Sequence, residues 1–358
     1  MIEKKNYNWA VLGCGVIANE FAEAMKKHNN KIYAIGNRTH EKAVAYGKKY
    51  DVEKVYDDYK DIFEDDEVDI IYITTPHNTH IQFLREALSR GKHVLCEKSI
   101  TLNSDELEEA ITLANDKNVI LAEAMTLYHM PLYKKLDEIV NGGDLGDVNV
   151  ITINFGSYKE YDMNNRFFNR NLAGGAMLDI GVYALSFARW FLKSNPKKIV
   201  SQVKYASTKV DEQATILMMN EEQQMVSIAI SLHSKQPKRG MISCDKGYVE
   251  IMEYPRAMQA VITYTETGEK EIVQIGDMQD ALWYEIEDME KAVAEKAVTD
   301  KAAMDKAVTD KEVTEKAVVG KSITDKESYM HLDYTKDVME VMTHIRKDWG
   351  MNYPEEIS

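Results

Sequence analysis

The chain has 358 residues, 44% of them hydrophobic, and carries 44 Lys+Arg against 59 Asp+Glu for a formal charge of −15. That length suffices for two domains with proper cores, and so acidic a chain without a basic block argues against nucleic acid or an anionic membrane as a partner. The cysteines Cys14, Cys96 and Cys244 lie far apart without metal-ligand spacing, MIEKKNYNW has no apolar signal region, and no uninterrupted apolar run reaches membrane-spanning length, so a reduced, cytoplasmic protein is the expectation.

The apolar run Asn8–Gly13 leads into Gly13-Cys14-Gly15-Val16-Ile17-Ala18, which reads as a strand, a tight turn and a helix start. Gly13 allows the turn, Gly15 lets the main chain approach a pyrophosphate, and the small Ala18 lets helix and strand pack closely. Val16 and Ile17 open the helix, whose free N–H groups and positive dipole end suit phosphates. Further strands are predicted at Lys31–Gly36, Val68–Thr74, His93–Glu97 and Val119–Ala124. They alternate with helices near Val16–Lys27, Glu41–Lys48, Thr79–Arg90 and Ser104–Asp116, the last begun by a capping-box variant at Asn103 and Glu106. Residues 1–124 therefore read as a doubly wound parallel Rossmann sheet.

Ligands of such sheets lie beyond the carboxyl ends of the strands. Thr75, Pro76, His77, His80, Glu97 and Lys98 fall there and are expected to line the cofactor site. His77 and His80 have a spacing a metal could use, but no third ligand has an obvious place, so no metal is expected. The second strand runs into Asn37-Arg38-Thr39 with no acid to hold ribose hydroxyls. Arg38 would pair with a 2′-phosphate, with Asn37 and Thr39 adding hydrogen bonds. NADP(H) is the expected cofactor, with NAD(H) the other possibility.

Residues 125–358 read as a second, substrate and oligomerisation domain, and from about Val148 the texture changes. Strand-like runs at Val148–Phe155, Lys198–Ala206, Gln213–Met219, Met225–His233, Gly247–Met252, Gln259–Thr265 and Glu271–Ile275 predict a large, mostly antiparallel open sheet in an α+β domain, interrupted by one helix at Gly174–Leu192. Such a sheet often forms an oligomer interface, and a homodimer or homotetramer through it is the expectation. From 291 to 326 a lysine recurs every five residues. A five-residue step turns a helix by about 140°, so the valines spiral around it, and in a strand an odd period flips faces. The repeat is expected to be a surface excursion, partly helical, between a helix ending near Glu290 and one beginning near Ser328; a docking segment is the alternative.

Lys98, at the ligand edge, can donate to a substrate oxygen and stabilise developing alkoxide charge. Asp179 and Tyr183 lie four apart on a helix and share a face. A tyrosine beside a lysine can have a lowered pKa and shuttle a proton. Arg166 and Asn169, just before that helix, can touch a polar substrate. Taken singly, each has a plain alternative: a surface salt bridge for Lys98, a surface acid for Asp179, a core aromatic for Tyr183.

The segments AVLGCGVIA, TTPHNTH…GKHVLCEK and LAGGAMLDIGVYAL, in that order, resemble the Gfo/Idh/MocA oxidoreductases, and the likeness resumes at Tyr329 and runs through IRKDWGMNYPEE. Glu123–Thr126 and a tyrosine at 183 look like the dihydrodiol and xylose dehydrogenase branch. The resemblance implies hydride exchange between a nicotinamide cofactor and a hydroxyl or carbonyl carbon of a sugar, polyol or cyclic diol. It implies Lys98 and Tyr183 as the polarising and proton-transfer pair, with Asp179 in support. Ser99 stands where the family has proline. A cis peptide costs far less before proline than before serine, so Lys98 is expected to be aimed without one. A non-catalytic dinucleotide-binding regulator, or a hydrolase with a tightly held cofactor, stays open as an alternative.

Overall fold

A computed structural model describes residues 6–309 and 330–357. The first sheet has six parallel strands: β1 (Trp9–Leu12), β2 (Ile32–Gly36), β3 (Lys54–Tyr56), β4 (Ile70–Ile73), β5 (His93–Glu97) and β6 (Leu121–Ala124), in the order β3-β2-β1-β4-β5-β6. Side chains alternate across it. Trp9, Val11, Ile70, Tyr72 and Leu95 join one core, and Ala10, Leu12, Ile71, Ile73, Val94 and Cys96 the other. Helices therefore cover both faces, as a parallel sheet requires. The connecting helices are α1 (Val16–Lys27), α2 (His40–Tyr50), α3 (Tyr59–Glu64), α4 (His80–Ser89) and α5 (Ser104–Asp116). Asn103 accepts from the Glu106 N–H (2.9 Å) and Glu106 accepts from the Leu102 N–H, so the N-terminus of α5 is capped by the expected pair of residues. The three-residue edge strand β3 and the six-residue α3 escape sequence periodicity because each is shorter than a full repeat of its pattern.

Helices α6 (Thr126–His129) and α7 (Pro131–Asn141) lead into the second sheet. Its strands are β7 (Val148–Gly156), β8 (Lys198–Tyr205), β9 (Asp211–Met219), β10 (Met225–Ser231), β11 (Gln236–Cys244), β12 (Gly247–Met252), β13 (Gln259–Tyr264) and β14 (Lys270–Gln274). The order is β14-β13-β12-β11-β7-β10-β9-β8, antiparallel except for the β7–β10 pair. Strand β11 is absent from the sequence-based reading because QPKRG opens it with a proline and two cations. Arg239 is satisfied there by Glu250 across the β11–β12 pair (2.5 Å). One sheet face packs on the core helix α8 (Val182–Phe191) and on α10 (Leu332–Asp348). The other leaves Val150, Val200, Leu217, Tyr248, Met252 and Ile272 exposed.

The helical stretch Arg170–Phe191 is, among the described residues, the one long and apolar enough to cross a membrane, and 83% of its window is buried inside the protein. It is not one regular helix. Met177–Gly181 forms a π-helical turn before α8 begins at Val182. Such turns frequently mark functional sites.

Helix α9 (Ala281–Thr309) runs on through Lys291 instead of ending near Glu290. The first two repeat units have partners. Ala292 and Val293 join the core against α1, and Lys296 is buried and donates to Asn118, which in turn donates to Asp300 (2.8 Å). Val293 is 5% exposed and Val298 55% exposed, as the five-residue step demands. The rest of the repeat from 310, and the helix start expected near Ser328, lie outside the described residues.

Candidate active site

The glycine loop is built for an anion. Gly13 adopts φ +104°, and a Cβ there would stand 2.7 Å from Thr74 Oγ1, so glycine is needed for both conformation and space. Gly15 is the N-cap of α1; no side chain caps the helix, no acid sits in its first turn, and a Cβ on Gly15 would meet nothing within 4 Å. Val16 is 79% exposed, while Ile17 and Ala18 pack into the core beneath. Uncapped N–H groups facing open space fit a dinucleotide pyrophosphate. At the end of β2, the exposed Arg38 donates its main-chain N–H to the Tyr59 hydroxyl (2.8 Å), and Asn37 donates to Thr39 O (2.9 Å). That turn is fixed while the guanidinium faces outward.

Across the sheet edge, Thr75 accepts from Thr79 Oγ1 (2.8 Å), and Pro76 precedes the short turn that carries His77. His77 Nε2 donates to Lys98 O (3.0 Å). His80, the first residue of α4, is fully buried, with Nδ1 2.9 Å from Ser99 O and Nε2 2.8 Å from Thr75 O. Burial lowers the pKa of both rings, with Lys98 contributing, and that of His77 to about 3. The two imidazoles thus brace the main chain around Lys98. Contrary to the expectation from Ser99, the Lys98–Ser99 peptide is cis. Ser99 is wholly buried and its hydroxyl donates to Leu178 O (3.0 Å), a bond proline could not make.

Lys98 Nζ donates to Asp179 O (2.7 Å) and stands 3.5 Å from Asp179 Oδ1 and 4.9 Å from the centre of the Tyr183 ring. Arg166 reaches the same Oδ1 at 3.5 Å. Burial alone would raise the Asp179 pKa, but Lys98, Arg166, His77 and Lys159 hold it below the usual carboxylate value. Asn169 is spent locally: its Oδ1 accepts from the Asn171 N–H (2.9 Å) and caps a short turn. Lys98, Asp179, Tyr183 and Arg166 therefore converge, whereas Asn169 serves the loop. The lowered pKa expected for Tyr183 is not found. Burial pushes its phenol well up, and Glu97 and Glu285 add to this. Lys98 faces the ring and does not offset the loss of water.

Beneath the site lies a group of buried acids, of which Glu97 was expected at the ligand edge and Glu285 had no sequence signal. Glu97 accepts from Tyr72, and burial raises its pKa. Glu123 accepts from the Ile100 N–H (3.0 Å) and from Thr335 (3.1 Å), and burial pushes it up to about 7. Glu285 of α9 is buried, with Oε1 unpartnered. These acids lie on elements far apart in sequence, and only the fold brings them together. Among the described residues, no group of three or more His, Cys, Asp and Glu is placed to hold a metal.

The family described as oxidoreductase, NAD-binding Rossmann fold (GFO/IDH/MocA) matches residues 7–125, and its C-terminal domain matches residues 133–250. The trans-1,2-dihydrobenzene-1,2-diol dehydrogenase of Mus musculus is 29% identical over 251 residues, covering 68% of this chain and 74% of the relative. A 3-ketoreductase from Actinomadura kijaniata, KijD10, solved with NADP and TDP-benzene, superposes with a TM-score of 0.78 at 17% identity, over 96% of this chain and 98% of its own. Levoglucosan dehydrogenase, solved with NADH and levoglucosan, superposes with a TM-score of 0.75 at 17% identity, over 82% and 91%. With both family domains matched in order, and with the parallel and open sheets that go with them, the chain belongs to the Gfo/Idh/MocA oxidoreductase family.

Proposed function

We propose that this chain is an NADP(H)-dependent dehydrogenase or reductase acting on a hydroxyl or carbonyl carbon of a sugar, polyol or cyclic diol. The observation that carries this reading is the meeting of Lys98, Asp179 and Tyr183 at the carboxyl edge of the dinucleotide-binding sheet. The relatives named for diol, keto-sugar and anhydrosugar chemistry support the substrate class. The bound dinucleotide supplies or accepts hydride. Gly13, Gly15, Val16, Ile17 and Ala18 hold its pyrophosphate, Asn37, Arg38 and Thr39 its adenosine end, and Thr75, Pro76, His77, His80 and Glu97 flank its other end.

Lys98 is anchored by one strong hydrogen bond to Asp179 O. An ammonium has three donors, so others remain for the substrate oxygen, where they stabilise developing negative charge. Tyr183, an ordinary phenol at neutral pH whose pKa burial raises further, carries a proton and gives it in the direction of reduction. Asp179 stays ionised and balances Lys98, while Arg166 faces a polar substrate from the loop side. Arg38, exposed and without a neighbouring acid on the same turn, is the contact for a 2′-phosphate.

The exposed apolar face of the second sheet supports a homodimer or homotetramer formed through it, the acidic chain speaks against nucleic-acid or anionic-membrane partners, and the scattered cysteines support a reduced, cytoplasmic protein. Turnover of a panel of sugars, polyols and cyclic diols, followed by absorbance of the reduced nicotinamide, tests the activity. No turnover of any of them, with dinucleotide bound, would favour the regulator.

A further inference from the structure

Arg256 lies in the short turn Tyr254–Arg256 that follows β12 of the second sheet, yet it ends against the dinucleotide-binding helix. Its Nη1 donates to Glu20 Oε2 at 2.9 Å. Glu20 sits one turn into α1 after the glycine loop, on the same helix face as Val16. Arg256 and Glu20 are walls of one open cleft of about 960 Å³ that Cys14, Gly15 and Val16 also line. On its other side Arg256 is electrostatically coupled to Tyr183, Glu97 and Glu285. It therefore lines the cleft of the glycine loop while lying within electrostatic reach of Tyr183. Its side chain is 32% exposed and that of Glu20 43%, so the pair is neither sealed nor free.

We infer that Arg256 is a cofactor-binding residue contributed by the second domain, and that its pairing with Glu20 is the resting arrangement. A pyrophosphate at Gly15 brings two negative charges to the loop where α1 begins. It competes with the Glu20 carboxylate for the guanidinium, whose planar fork fits phosphate oxygens better than it fits a single carboxylate oxygen. Arg256 passes from Glu20 to the phosphates and ties the second domain to the occupied first. The inference rests on the dinucleotide lying along the glycine loop, as the family and the uncapped helix indicate.

The two halves of the ion pair then have opposite effects, which a structural staple does not produce. Dissociation constants for NADPH and for ADP-ribose, which retains the pyrophosphate without the nicotinamide, are measured by calorimetry on the full chain. Arg256→Met is expected to weaken both ligands by about tenfold or more, equivalent to about 1.4 kcal/mol. Glu20→Gln is expected to tighten both by about two- to threefold, because the competitor loses its charge. Thermal unfolding of each variant without ligand shows whether the fold is kept; if Arg256→Met does not fold, Glu20→Gln alone decides by the sign of its effect. Unchanged affinity in Arg256→Met, or weaker binding in Glu20→Gln, overturns the inference. Failure of the wild-type chain to bind either ligand overturns the dinucleotide site and the inference together.

Discussion

The ammonium of Lys98 is held by the main-chain carbonyl of Asp179, at 2.7 Å, more closely than by its carboxylate, whose Oδ1 is 3.5 Å away and is shared with Arg166. The lysine is thus placed by the π-helical backbone, and the Asp179 side chain sets the charge around it. Lys98→Met and Tyr183→Phe are each expected to lower kcat by about 10²-fold or more, the range of general acid–base groups. The double variant should lose less than the product, because the proposed roles put both residues on one oxygen. Asp179→Asn should be milder, since the carbonyl anchor stays. Steady-state kinetics on a turned-over substrate decides this, and near-normal turnover in either single variant removes that residue from the chemistry.

Arg38 should decide between the two nicotinamide cofactors. Arg38→Ala is expected to raise the Kd for NADPH by about 10- to 100-fold, the loss of a charge-assisted bidentate contact, and to leave NADH unchanged. Tighter binding of NADH than NADPH by the wild type, unaffected by the substitution, would contradict the assignment.

The loop before the π-helical turn has no spare room. Gly175 has φ +130°, and a Cβ there would lie 2.1 Å from Asp211 Oδ1, while Asp211 Oδ2 accepts from the Met177 N–H (2.6 Å) and Tyr353 donates to Gly174 O (2.7 Å). Gly175→Ala should cost about 2 kcal/mol or more of stability and reduce kcat more than it weakens dinucleotide binding, because Asp179 and Tyr183 follow directly. Calorimetric melting and a binding titration on the same variant separate the two effects.

Glu123 gives a pH signature. Its folded pKa is raised by burial to about 7 from an ordinary value of 4.5. A raised folded pKa contributes stability that is full below the unfolded value and is lost as pH rises through the folded one. Glu123→Gln keeps an acceptor for the Ile100 N–H, and its amide N–H can donate to the Thr335 hydroxyl in place of the bond the carboxylate accepted from it. Between about pH 5 and pH 8 the wild type should therefore lose on the order of 2 kcal/mol that the variant keeps. Parallel melting-temperature curves for the two proteins would show that Glu123 titrates normally.

The repeat should matter for stability only where it meets the fold. Lys296→Ala removes a buried donor to Asn118 and should lower stability by about 1 kcal/mol, read from the denaturation midpoint. Replacing residues 303–327 with a short Gly/Ser linker should leave kcat within about threefold, since closure entropy changes only with the logarithm of loop length. A folded linker variant without turnover would make the segment part of the site.

Much of the site was legible because its information is local. A glycine motif states a backbone conformation, Asn37-Arg38-Thr39 states the absence of an acid, and Lys98 is placed by the end of its own strand. The four-residue step from Asp179 to Tyr183 pointed to a shared site, although the turn between them is π-helical. Arg256 and Asp211 left no such trace, because their partners are 236 residues away in the Glu20 pair and 34 in the Met177 bond. A lone arginine after a proline reads as surface.

The amino-acid order by itself determined the long strands and helices of the first sheet, the open character of the second and the glycine turn, because each follows from steric rules and periodicities acting within a few residues. It did not determine β3, α3 or β11. Only the tertiary structure decided the protonation of the site and the geometry at Lys98. The Tyr183 phenol is raised where adjacency to lysine predicted a fall, since loss of water on burial outweighs a cation lying over the ring face. The Lys98–Ser99 peptide is cis with His77, His80 and Leu178 closing around it. Burial and long-range charge are properties of the assembled core, and no stretch of chain carries them alone.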